Sequence, residues 1–185
     1  ADLVGIDVLF VDNCNNGGYG AEYLSRLADI QAAVNAGMVL IIHDRFVDNA
    51  ESILPGGATF DIRRDFADSA NINVRDNTTI VTSGGPGGSI NDATLDGGCS
   101  SSHGFAVASS LPAGAKLILS RGNANEIVTF SYSYGAGSVI YSSIPLDFYL
   151  AGFNCGNVPG AFKNIYAPNV IAYGASLTAP CDSFK

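Results

Sequence analysis

Two short apolar runs flank one helical repeat near the start of the chain, and their order constrains the fold more than any other feature. Residues 6–11 read Ile-Asp-Val-Leu-Phe-Val and stop at Asp12 and Asn13; residues 38–42 read Met-Val-Leu-Ile-Ile and stop at His43, Asp44 and Arg45. Between them Tyr23, Leu24, Leu27, Ile30 and Val34 recur at helical spacing, with Gly37 placed as a C-terminal stop. An Asn/Gly loop, 15–20, joins the first run to the helix. Strand, helix and strand with short links make a βαβ unit, so the two strands are predicted to be parallel neighbours with a right-handed crossover.

The rest of the chain divides in two. Residues 47–104 are irregular and rich in Asp, Asn and Gly, with short β-like runs at 72–74 and 79–81. Gly84-Gly85-Pro86-Gly87-Gly88 within this stretch suits neither a helix interior nor a central strand. A loop this long usually carries function or a partner contact. Order returns at 115–119, 127–132 and 138–141; Gly135-Ala136-Gly137 makes a tight turn, so the last two runs read as an antiparallel hairpin. Phe162, Ile165, Tyr166, Val170 and Tyr173 fit a closing helix, with Pro168 near its start. The expected fold is one α/β domain over 1–185, flavodoxin-like and three-layered. It has a mainly parallel central sheet, the late hairpin and the long Gly/Asn/Asp-rich insertion.

Composition limits what such a domain does. Charged residues make up only 14% of the 185, against roughly a quarter in average globular domains. Nine basic and seventeen acidic side chains leave a net charge of −8, which disfavours contact with phosphate backbones or anionic lipid. Arg63 and Arg64, the one basic pair, sit between Asp61 and Asp65. No run of 18 apolar residues predicts a membrane span. Cys14, Cys99, Cys155 and Cys181 lack the close spacing of a zinc site and read as two disulfides, their pairing open, in an oxidising compartment. The sequence therefore points to an extracellular protein, secreted or at the cell surface. The absence of a signal peptide points to a processed chain or one part of a longer precursor.

Three stretches carry a family resemblance: 3–10 with the following helix, Ala36-Gly37-Met38-Val39-Leu40-Ile41-Ile42-His43-Asp44, and Tyr134-Gly135-Ala136-Gly137-Ser138-Val139-Ile140-Tyr141. Together they resemble the class I glutamine amidotransferase-like superfamily, in particular its non-amidotransferase, ThuA-like branch. The resemblance implies a helix leading through a glycine into a strand that ends in a polar elbow, with a late hairpin closing the sheet. At the elbow, where amidotransferases hold a nucleophilic Cys between glycines, this chain has His43-Asp44-Arg45-Phe46. The resemblance thus implies a site without thiolate chemistry. It also implies a strand and helix ahead of the first run, which this chain does not supply.

Several residues remain as candidates. His43 and Asp44 stand at the carboxyl end of a strand, where open α/β sheets place ligands; with His103 they are the acid–base candidates, against the plainer reading of a hydrogen-bonded elbow. Asp12, Asn13, Asn15, Asp92 and Asp96 supply hard oxygen donors on loops, for which Ca²⁺ is the candidate cation, against their ordinary role as turn formers. No other cofactor is expected. Tyr132, Tyr134 and Tyr149 are the candidate partner or ligand surface, against a place in the core and hairpin. Asn77-Thr78-Thr79 is a glycosylation acceptor sequence.

The missing nucleophile, low charge and inferred disulfides lead to an expected non-catalytic extracellular module for structure, adhesion or self-assembly. Its partners would be other copies, other extracellular proteins or glycans. The alternatives are a secreted hydrolase or carbohydrate-active enzyme using His43 and Asp44, and a sugar-binding module.

Overall fold

The computed structural model describes residues 3–153 and 159–178. Its order is β1 (Val8–Asn13), α1 (Ala21–Ser25), α2 (Leu27–Asn35), β2 (Val39–Asp44), β3 (Ile62–Arg64), β4 (Asn73–Val74), β5 (Gly104–Val107), β6 (Lys116–Ser120), β7 (Glu126–Tyr134), β8 (Gly137–Ser142), α3 (Leu146–Leu150), α4 (Pro159–Ala161) and α5 (Ala167–Ser176). Phe162–Tyr166 forms a π-helical turn that joins α4 to α5.

The βαβ unit forms as predicted. β1 pairs parallel with β2, Val8 opposite Val39 and Asn13 opposite Asp44. The expected single helix is two, α1 and α2, broken at Arg26. Ile30 and Val34, one turn apart on α2, are its buried residues and each contributes about 1.5–3 kcal/mol by leaving water. Gly37 ends the crossover in the left-handed region at φ 124°, a conformation a Cβ would oppose. β2 is buried along its whole length because β1 flanks it on one side and β8, also parallel, on the other.

The sheet is mixed, which corrects the expected mainly parallel arrangement. β1–β2 and β2–β8 are parallel, whereas β7–β8, β6–β7, β5–β7, β3–β5 and β4–β6 are antiparallel. Part of the reason is connectivity: β6, β7 and β8 follow one another through short hairpin-type links, which join strands antiparallel. The predicted late hairpin is β7–β8, and its turn at Gly135 (φ 60°) docks on the end of α2. There Ala136 N–H donates to the Asn35 carbonyl at 3.0 Å. β1 pairs with β2 alone among the described residues and forms one edge.

Alternate residues of β2 feed two apolar clusters on opposite faces of the sheet. Leu40 and Ile42 join Ile30, Val34 and Tyr141, while Val39 and Ile41 join Tyr166, Val170 and Tyr173 from the C-terminal helices. The insertion contributes core residues of its own, Ile72, Val81, Ile90 and Leu95. Residues 79–81, read as β-like, form turns instead. Ile72 and Val74 do border or form a strand, β4.

Candidate functional site

The carboxyl ends of β1, β2 and β8 meet at one rim of the sheet, and strand alternation sorts their side chains between its two faces. Asp44 follows Leu40 and Ile42 to the α2 face. Its carboxylate accepts hydrogen bonds from Asn13 Nδ2 at 3.0 Å, Tyr19 Oη at 2.8 Å, Tyr141 Oη at 3.2 Å and the Phe46 amide at 2.9 Å. Four donors around one buried carboxylate make an elbow clamp, and they hold the phenols of Tyr19 and Tyr141 protonated, their pKa raised first by burial and then by Asp44.

His43 turns to the other face and is fully buried. Its Nε2 lies 3.0 Å from Tyr166 Oη, which also reaches Ser142 Oγ at 3.0 Å and Thr129 Oγ1 at 3.3 Å. Burial lowers the His43 pKa to about 3 and raises that of Tyr166 to about 12, so both are neutral in ordinary buffers. A neutral imidazole sealed in the core cannot exchange protons with a bound substrate. His103 belongs to a third environment: its Nδ1 is 2.7 Å from the Arg45 carbonyl, its ring packs on Phe66, and burial lowers its pKa. The acid–base set inferred from sequence therefore does not converge.

What does converge is a group at the β1 end. Asp12, the residue opposite His43 in the strand register, neighbours Asp147 at the start of α3, whose backbone N–H donates to the Asp12 carboxyl. Arg45 Nη1 binds Asp147 Oδ2 at 2.8 Å and its guanidinium stacks over Phe148. Burial, then the Asp147 charge, raises the Asp12 pKa to about 6. Arg45 was read in sequence as part of the elbow, but Asp147 was not singled out, because nothing in their spacing ties 45 to 147. The signal that was legible is positional, polar residues at strand ends.

On the α2 face, Leu9, Val11 and Ile42 form the floor of a groove walled by α1 and α2, enclosing about 440 Å³. Tyr19 and Tyr23 line it with Asn13, Asn15, Glu22 and Arg26, and Cys14 stands at the same rim. Both tyrosines are half-buried, while Asn15 and Glu22 are exposed. The groove runs along β1, which is an edge strand among the described residues, with Leu3 also in its lining.

The other candidates take structural roles. Asp92 Oδ1 and Asp96 Oδ1 accept the amides of Val74 and Ile72 at 2.8 and 2.6 Å, tying the loop at 92–96 to the start of β4, and Asn15 Oδ1 accepts that of Gly17 at 2.9 Å in a local turn. The five proposed calcium donors are thus split between the β1 end and the insertion. Tyr132 and Tyr149 are buried, which corrects their assignment to an exposed surface. Tyr132 Oη donates to the Pro55 carbonyl at 2.7 Å, and Tyr149 stacks on Phe162 with ring centroids 4.0 Å apart. Tyr134 packs against Gly56. Cys14 is a free, exposed thiol, which corrects its expected disulfide; Cys99 is disulfide-bonded, and Cys155 and Cys181 lie outside the described residues. Asn77 of the acceptor sequence is exposed.

No family model matches the chain, and no curated protein matches it. Solved structures do. An exo-β-1,4-mannosidase, Op5Man5, from Opitutaceae bacterium strain TAV5 superposes with a TM-score of 0.52 at 12% identity over 97% of this chain and 26% of that one. A β-galactosidase from Rahnella sp. R3 superposes with a TM-score of 0.50 at 14% identity over 96% of this chain and 24% of that one. The likeness is one of fold, and the chain spans about a quarter of the length of these enzymes. The fold recurs inside two glycoside hydrolases, which goes against the expected non-catalytic structural, adhesion or assembly module.

Proposed function

We propose that this domain recognises glycan as one unit of a larger carbohydrate-active protein, and that the groove between β1 and α1–α2 is its sugar-contacting surface. One observation carries the reading: tyrosine faces and apolar side chains lie beside Asn, Glu and Arg in a groove sized for one or two sugar rings. Sugars present apolar C–H faces and polar edges, and this lining has a counterpart for each. Binding is favoured over bond cleavage by His43 and Asp44, because His43 is sealed in the core and the Asp44 lone pairs are occupied. The low surface charge and the bonded Cys99 fit an extracellular setting. The helices on both sheet faces fit a flavodoxin-like, amidotransferase-related origin for the domain.

Isothermal titration with β-1,4-mannobiose and with β-galactosides tests the proposal. The expected Kd lies between about 10 μM and 1 mM for ligands of this size. Coupling N-ethylmaleimide to Cys14, at the groove rim, is expected to abolish the heat, and the Cys14→Ser protein treated in the same way to retain it. Binding that survives the Cys14 adduct unchanged places the sugar elsewhere and defeats the groove assignment; no heat with any of the saccharides defeats the glycan reading.

A further inference from the structure

The groove beside β1 offers more apolar surface than a bare sugar uses. Its floor is Leu9, Val11 and Ile42, with Leu3 and Ile30 beside them, and its volume of about 440 Å³ falls within the range of small-molecule sites. Strand register puts Leu9 and Val11 on the same face as Leu40 and Ile42. Leu3, Leu9 and Val11 are only half-buried, so aliphatic surface stays open to a ligand.

The polar side chains of the walls commit their polar atoms within the protein. Tyr19 Oη donates to Asp44 Oδ2 at 2.8 Å, and Tyr23 Oη donates to the Ile53 carbonyl at 3.3 Å. Asn13 Nδ2 donates to Asp44 Oδ1 at 3.0 Å, and Asn13 Oδ1 accepts the Asn15 amide at 3.3 Å. Asn15 Oδ1 accepts the Gly17 amide at 2.9 Å. A sugar ring pressed onto this floor loses water from its hydroxyls without replacement partners, which costs free energy. An alkyl or aryl group has no such cost, and it gains by covering the aliphatic floor.

Charge then selects what the apolar group is attached to. Arg26 is engaged by Asp29 at 2.7 Å, whereas Glu22 stands exposed in the lining with no ion pair among the described residues. A carboxylate or phosphate head meets that charge and a chain of net charge −8. A neutral head that carries hydroxyls donates to Glu22 instead. We infer that the groove takes the apolar aglycone of a glycoside, an alkyl or aryl group on the anomeric oxygen, with the sugar hydroxyls at the mouth against Glu22. The inference rests on the glycan reading and names its ligand class, an amphiphilic glycoside in preference to an unsubstituted saccharide.

Calorimetric titration of the folded domain with methyl, n-hexyl and phenyl β-D-galactopyranoside, and with 1-hexanol, tests it. Each methylene that leaves water raises affinity by up to about fourfold, so hexyl galactoside is expected to bind at least about tenfold more tightly than methyl galactoside. Phenyl galactoside set against hexyl shows whether an aryl or an alkyl group fits better. Val11→Thr keeps the shape of the floor but adds a hydroxyl, and is expected to narrow the gap between hexyl and methyl. Bound hexyl galactoside is also expected to slow the reaction of N-ethylmaleimide with Cys14 at the rim, a readout that needs no variant. Equal affinity for the methyl and hexyl compounds overturns the aglycone assignment and leaves the glycan reading standing. A hexyl preference with Cys14 unprotected puts the chain elsewhere and overturns it as well. If 1-hexanol binds as tightly as hexyl galactoside, or if no compound binds, both readings fall.

Discussion

Adjacent residues at the end of β2 have opposite fates. Asp44 accepts from four donors, and His43 is a neutral core residue, because strand alternation sends them to different faces. The sequence shows the pair; it does not show that Tyr166, more than a hundred positions later, closes over the imidazole. Stability should record this burial. In the unfolded chain His43 titrates near 6.5, and in the folded chain near 3, so its contribution is complete above about pH 6.5 and is lost as pH falls toward 3. The full loss is on the order of 5 kcal/mol. Asp12 has the opposite sign: its raised pKa favours folding below about pH 4, and this contribution is lost as pH rises through about 6. Because His43 is fully enclosed and Asp12 only in part, the histidine should dominate. Thermal melts are expected to show a falling midpoint from pH 7 to pH 4, with the slope strongly reduced in His43→Gln. An unchanged midpoint across that range, in the absence of substitution, would contradict the burial.

At the scale of elements, the glycine-rich segment 84–88 shows how a motif is visible in sequence while its purpose is not. Its exclusion from helix and strand interiors was legible. What holds it is Asn169 on α5, which is buried, donates to the carbonyls of Val81 and Gly88 at 3.0 and 2.8 Å and accepts the Gly87 amide at 2.8 Å. A Cβ on Gly85 would meet Asn169 Oδ1 and the Ile80 carbonyl at 2.3 Å, and one on Gly87 would meet the Ile165 carbonyl at 2.5 Å. The glycines therefore permit contact with the closing helix. Asn169→Ala strands three backbone groups and is expected to cost about 2–4 kcal/mol in urea unfolding, with faster amide exchange confined first to the segment. A cost below about 0.5 kcal/mol would mean that the segment is held by other contacts. The βαβ unit, by contrast, was readable almost residue by residue, since periodicity and Gly37 are local signals; the break at Arg26 and the π-helical turn were not, because packing sets them.

For the whole molecule, the edge position of β1 shapes both faces of the sheet at this rim. One face of the edge opens the groove of Tyr19 and Tyr23, and the other brings Asp12 to Arg45 and Asp147. The mixed sheet was not legible because pairing direction after β2 depends on connections through the long insertion, where β3 to β5 are only two to four residues each. The groove was not legible either: its lining joins Leu9 to Ile42 across elements, and only the tertiary fold shows that the space beside β1 is open. The most direct measurement is a ¹H–¹⁵N correlation spectrum of the labelled domain during titration with β-1,4-mannobiose. Glycan recognition in the groove beside β1 predicts saturable shifts clustered at residues 11–26, with the hairpin β7–β8 unmoved. Shifts confined to the hairpin or the insertion, or no saturable shifts with this or a β-galactoside ligand, would contradict it.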